Sequence, residues 1–106
     1  MVKVTTGFQM FMEESGEVGK AYSQLVQTMA QSSALDKKTH ALAYISALAA
    51  AQMTGGLAFH VMMAKQVGAS RDEVRDAVLV GLPAVGLAVL DALEEALNAY
   101  DEAETA

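Results

Sequence analysis

The chain has 106 residues, 53% of them hydrophobic, with a formal net charge of -6. That length predicts one domain, residues 1–106, with a small core; the acidic balance and scattered basic residues (five Lys, two Arg) argue against a nucleic-acid partner. No cysteine is present, which excludes disulfides, thiolate metal sites and thiol redox chemistry.

The opening MVKVTTGFQM has no apolar run followed by a cleavage site, so the expected location is the cytoplasm. From Phe8 the apolar positions run Phe8, Phe11, Val18, Tyr22, Leu25, Met29, with Ser15 in the one polar slot. Alternating steps of three and four predict an amphipathic first helix with a narrow seam. Gly16 and Gly19 weaken it, each by about 1 kcal/mol relative to Ala. Glu13, Glu14 and Glu17 read as a solvated face, and the methionines at 10, 12, 29, 53, 62 and 63 as core filler.

QSSAL at 31–35 reads as a turn, and Asp36 as the N-cap of a second helix over about 37–53. That helix is apolar nearly all round, which predicts a central, buried element. His40 reads as one of its exposed residues. No charged residue occurs from Ala41 to Ala64, long enough to span a bilayer. Gln52, Thr54, Gly55, Gly56 and His60 interrupt it, however, and the expectation is a buried helix pair with no membrane partner. TGG at 54–56 breaks the chain, and a third helix covers about 57–67, closed by Gly68. Ser70 and Glu73 form a capping box for a fourth helix over about 71–81. GLPAVG at 81–86 holds the only proline and predicts a turn. A last helix over 87–100 presents Leu90, Leu93 and Leu97, and DEAETA is a polar tail. No segment alternates like a strand, so the predicted class is all-α: about five helices, as antiparallel hairpins around a buried central helix.

Residues 35–86 resemble the carboxymuconolactone decarboxylase family, which includes the alkylhydroperoxidase D (AhpD-like) proteins. The resemblance rests on an ordered set: Leu35, Asp36, Lys38, Leu42, His60, Ala64, Gly68, Ala69, Ser70, Glu73 and Val74. It implies an AhpD-like helical domain and a homo-oligomer, a hexamer or trimer. In the peroxidase branch it implies a Cys-x-x-Cys-x-x-x-His segment. There one thiolate attacks the peroxide, the second thiol resolves the sulfenic acid, and a Glu and a His relay the proton. Here the two cysteine positions are Met53 and Gly56, the Glu position is Ala41, and only His60 remains. A methionine can be oxidised but cannot cycle as a dithiol, so dithiol peroxidase chemistry is excluded. In the decarboxylase branch a His-Glu pair falls on Gly55 and Gly56. His60 can donate a proton, but no carboxylate anchor is evident, Lys65 lying more than one turn away.

Two readings lead, ahead of a third in which a partner chain supplies the thiols of a conventional peroxidase. In the first, the chain keeps a small-molecule pocket around Met53, Gly56 and His60, which requires a concave cavity with His60, the catalytic candidate, reachable from solvent. In the second, it is a non-catalytic oligomeric scaffold or interaction module, and His60 is sealed with both ring nitrogens satisfied. Neither reading needs a cofactor or a metal; two histidines twenty positions apart lack a third ligand. Oligomerisation also has a physical basis independent of the resemblance: this much apolar surface exceeds what one small core covers.

Overall fold

The computed structural model describes residues 5–103, whose only regular structure is helical, with no strand among them. Seven α-helices follow in order: α1 (Thr6–Glu14), α2 (Glu17–Ser32), α3 (Lys37–Ala50), α4 (Leu57–Gln66), α5 (Arg71–Leu79), α6 (Leu82–Val85) and α7 (Leu90–Glu102). Short 3-10 turns, Thr54–Gly56 and Gly86–Val89, lead into α4 and α7.

The N-terminal seam does not form one helix. Ser15 closes α1, and Gly16 takes φ 58° and ψ -121°, a conformation that favours glycine, before α2 begins. Thr5 caps α1, its hydroxyl accepting from the Phe8 amide at 3.2 Å. Phe8, Phe11 and Tyr22 close the pair of helices with ring centroids 5.7–6.2 Å apart. Gly19 is the only buried residue of α1 and α2. A Cβ there would stand 2.6 Å from the Ser15 hydroxyl, which is itself buried without a hydrogen bond.

The other long helices form a ring. α3 packs on α4 and α5, and α7 packs on the same two from the opposite side. Ile45, Leu57, Val61, Val74, Val78 and Val89 are fully buried inside it, each contributing roughly 1.5–3 kcal/mol by leaving water. Alanines 49, 64, 92, 96 and 99 complete the core and let the helix axes approach closely. α7 differs from expectation here. Its inward stripe is Ala92, Ala96 and Ala99, while Leu93 and Leu97 are half-buried and Leu90 is exposed, because a close approach to α4 and α5 leaves room only for methyl groups. α3 is central, yet Ala43, Tyr44 and Ala47 stay open on its outer side.

Caps and cross-ties fix the ring. The Asp36 carboxylate accepts from the Thr39 amide at 2.7 Å. Ser70 and Glu73 make the complete capping box on α5, and Lys38 reaches the same Glu73 at 2.9 Å, tying α3 to α5. The Ser46 hydroxyl lies 2.7 Å from the Ala77 carbonyl of α5. Both α3 and α4 end in Schellman turns. After α4 the left-handed residue is Gly68, with Ala69 N–H donating to the Ala64 carbonyl. After α3 it is Gln52 at φ 58°, with Met53 N–H donating to the Leu48 carbonyl. The apolar stretch 41–64 is thus broken between α3 and α4. A second, within Arg71–Glu102, is apolar enough in composition to cross a membrane, but Pro83 and Gly86 divide it into α5, α6 and α7.

Candidate functional site around His60

His60 lies in the first turns of α4, placed there by the Schellman turn after α3 and the 3-10 turn Thr54–Gly56. Its ring is half-buried against two aromatic neighbours. Tyr44 of α3 meets it at 4.4 Å between centroids and 61° between planes, and Phe59 at 5.4 Å and 88°. Both are edge-to-face arrangements. On the remaining side stands Gly56: a Cβ added there would meet only the His60 Cδ2, at 3.9 Å.

The His60 imidazole makes no hydrogen bond with a described residue. Its nitrogens nevertheless keep contact with solvent, since the Ser15 hydroxyl is the one described side-chain polar atom both buried and unpartnered. Burial lowers the His60 pKa below the ordinary imidazole value, and no charged group contributes to that shift. At neutral pH the ring is therefore uncharged, with one nitrogen free to accept and the other to donate.

The N-terminal helix pair reaches this neighbourhood. The Tyr22 phenol of α2 lies beside the Tyr44 phenol; burial first, and then this neighbour, push the Tyr44 pKa above the ordinary phenol value. The Thr5 methyl stands 3.3 Å from where a Cβ on Gly55 would be. Tyr44, Phe59 and Tyr22 were not singled out as site residues from the sequence. Tyr44 is the lone aromatic of the alanine-rich α3, a signal visible in the sequence once α3 is known to face His60.

Of the three residues expected to line a pocket, the structure sets Gly56 against His60, while Met53 projects outward, 62% exposed, just before the 3-10 turn. The other methionines also depart from expectation. Met10, Met12, Met29 and Met63 are exposed and Met62 is half-buried, since most sit on outward helix faces rather than in the ring's interior. His40 is half-buried, its Nδ1 3.4 Å from the Ser33 hydroxyl. Glu13, Glu14 and Glu17 are solvent-exposed as expected.

Lys65 points away from His60 chemistry. Its ammonium donates to the Tyr100 and Ala103 carbonyls at 2.8 and 3.0 Å and stands 4.5 Å over the Tyr100 ring, capping the C-terminus of α7. Two open concavities, of about 340 Å³ between α4 and α7 and about 430 Å³ between α3 and α5, do not include His60.

Four helices closed into a ring, with His60 at the start of the second, define a helical class of protein. The chain belongs to the carboxymuconolactone decarboxylase family, whose sequence model matches residues 16–99. The fold is similar to the crystal structure of an apo carboxymuconolactone decarboxylase family protein from Legionella pneumophila, with TM-score 0.80 and 30% identity over 93% of this chain and 88% of that one. No curated protein matches the chain.

Proposed function

We propose that this carboxymuconolactone decarboxylase family protein binds a small molecule at His60, without the dithiol chemistry of the alkylhydroperoxidases it resembles. The observation that carries this reading is the pair of unbonded, solvent-reachable nitrogens on a half-buried ring. A scaffold retaining only the fold would gain from satisfying those nitrogens or replacing the ring with an apolar residue. Water satisfies the nitrogens in the free protein, and a ligand entering beside the ring takes the place of that water. His60 is then the acceptor or donor, and Gly56 keeps its Cδ2 side open; any catalysis would use the neutral imidazole as proton carrier.

The same reading has the protein working in the cytoplasm as a homo-oligomer, of trimer or hexamer order, joined through α2. Val18, Tyr22, Leu25 and Met29 recur at steps of four and three along one side of that helix, and all four are exposed in the single chain. Phe8, Phe11 and one side of Tyr22 close on one another inside the pair, so the contact is assigned to the rest of the α2 seam, although the helical periodicity alone pointed to Phe8, Phe11 and Tyr22.

The test follows the two imidazoles by ring-nitrogen NMR, with His60→Gln to assign them. Small aromatic, lactone and carbonyl compounds at millimolar concentration are expected to move His60 while leaving His40 in place. If nothing in such a set moves His60, the reading is wrong. Peroxide consumption with dithiothreitol should run at the buffer rate; sustained turnover unaffected by His60→Ala would show that the missing thiols do not decide the chemistry.

A further inference from the structure

Building on that reading, we propose that the His60 site takes an uncharged, flat ligand bearing a hydroxyl group, a phenol, in preference to a carboxylic acid. Three features of the site carry the choice. Tyr44 and Phe59 stand at steep angles to the imidazole and form an aromatic corner, a surface that suits the face or edge of another flat ring. The neutral imidazole offers an acceptor nitrogen to a hydroxyl proton.

The third feature is the distribution of cations. Lys65 is committed to the α7 carbonyls, Lys38 to Glu73, Arg71 to Asp101 and Arg75 to Asp72 and Asp76. Lys20, in the first turn of α2 two residues before Tyr22, pairs with Glu17 out in solvent. Lys37 opens α3 seven residues before Tyr44, about 10 Å along the helix. No charge perturbs His60. Among the described cations none is placed at the aromatic corner, Lys3 lying outside the described residues; a carboxylate there would lose water without gaining a counter-ion from them, which is the costliest way to bury a polar group. The net charge of -6 adds long-range repulsion toward anions. A phenol meets neither penalty.

The experiment compares three probes of one shape at pH 7.5: p-cresol, p-toluate and 4-methylanisole, titrated into the full chain and read from the His60 ring nitrogens. p-Cresol is expected to bind at least about tenfold more tightly than p-toluate, a difference that a single unpaired charge readily produces. 4-Methylanisole, which lacks the proton to donate, should fall between them. His60→Phe should abolish the preference for p-cresol over 4-methylanisole. Tyr44→Ala, which removes one wall of the corner at a 40% exposed position, should weaken p-cresol and 4-methylanisole alike. If p-toluate binds as tightly as p-cresol, the charge argument is overturned while His60 remains a binding site. If none of the three moves His60 although other compounds do, the phenol class is overturned; if no compound of any class moves it, the site reading falls with it.

Discussion

The helix ring and the N-terminal helix pair are made from the same kind of sequence and end in opposite situations. In both, apolar residues recur every three or four positions. In the ring these residues face one another, and Ile45, Leu57, Val61, Val74 and Val78 lose contact with water almost entirely. In the pair, only Phe8, Phe11 and Tyr22 close on each other, and Leu25 and Met29 remain 53% and 54% exposed. Helical periodicity therefore specifies which residues share a face and leaves open what covers that face. The ring closes on itself through four mutual contacts, whereas the pair touches the rest of the chain at few points and presents its seam outward.

Charging that seam is the strongest way to break the comparison. Leu25→Asp should reduce an assembled protein to protomers, with light scattering giving a mass near 11.1 kDa and circular dichroism unchanged. A wild-type mass already at that value would mean that the seam has no partner among copies of this chain. Truncation within the ring comes next. Ile45→Ala should cost about 2–5 kcal/mol in urea unfolding through the cavity it leaves. The equivalent Leu25→Ala, measured in the dissociated protein, should stay within about 0.5 kcal/mol.

Inside the pair, Gly19→Ala forces its Cβ onto the Ser15 hydroxyl and should destabilise by about 1–2 kcal/mol. Ser15→Ala removes a buried, unpartnered hydroxyl and should be neutral or stabilising. Combining them should recover most of the loss, a positive coupling that a double-mutant cycle reads directly. At the ring's own joints, Gln52→Gly should raise stability by about 0.5 kcal/mol, since relief of the left-handed strain exceeds glycine's added chain entropy.

The smallest effect is the pH dependence attached to His60. Its folded pKa lies below the unfolded value of about 6.5, so the unfolded chain binds the proton more readily. Stability is therefore unaffected above that value and falls as the pH drops from there toward the folded pKa. His60→Gln should flatten this part of the profile. The carboxylates of Asp36, Glu73, Asp76 and Asp101, all held below their ordinary values, act in a lower window, losing their contribution as the pH falls through their folded pKa values.

Much of the ring was legible in the sequence because its signals are local. Asp36, Gly68 and the Ser70–Glu73 box each satisfy backbone groups within a few residues, and each marks its boundary where the structure has it. The break at Gly16 was not legible as a break, because Ser15 occupies the polar slot between Phe11 and Val18 and keeps the three-four rhythm running across it. The start of the last helix was read three residues early for a related reason: Gly86–Val89 keeps the apolar pattern while winding as a 3-10 turn. His60 and Gly56 stood out by their place in a family segment. The rings around His60 did not, since Tyr44 and Tyr22 lie 16 and 38 positions away and meet only through folding. Lys65, near His60 in sequence, is claimed by α7 for the same reason.

Tyr22 belongs to two neighbourhoods at once. Its ring closes the N-terminal pair, and its phenol leans on Tyr44, the wall of the His60 corner. A residue shared in this way makes the two events it touches thermodynamically reciprocal. If a second chain fixes α2, and with it the pose of Tyr44, then assembly alters affinity at His60 by some factor. Saturation at His60 must shift the protomer equilibrium by that same factor. Ligand titrations at two protein concentrations would then give two different apparent affinities, and their ratio would measure the coupling without either partner being altered.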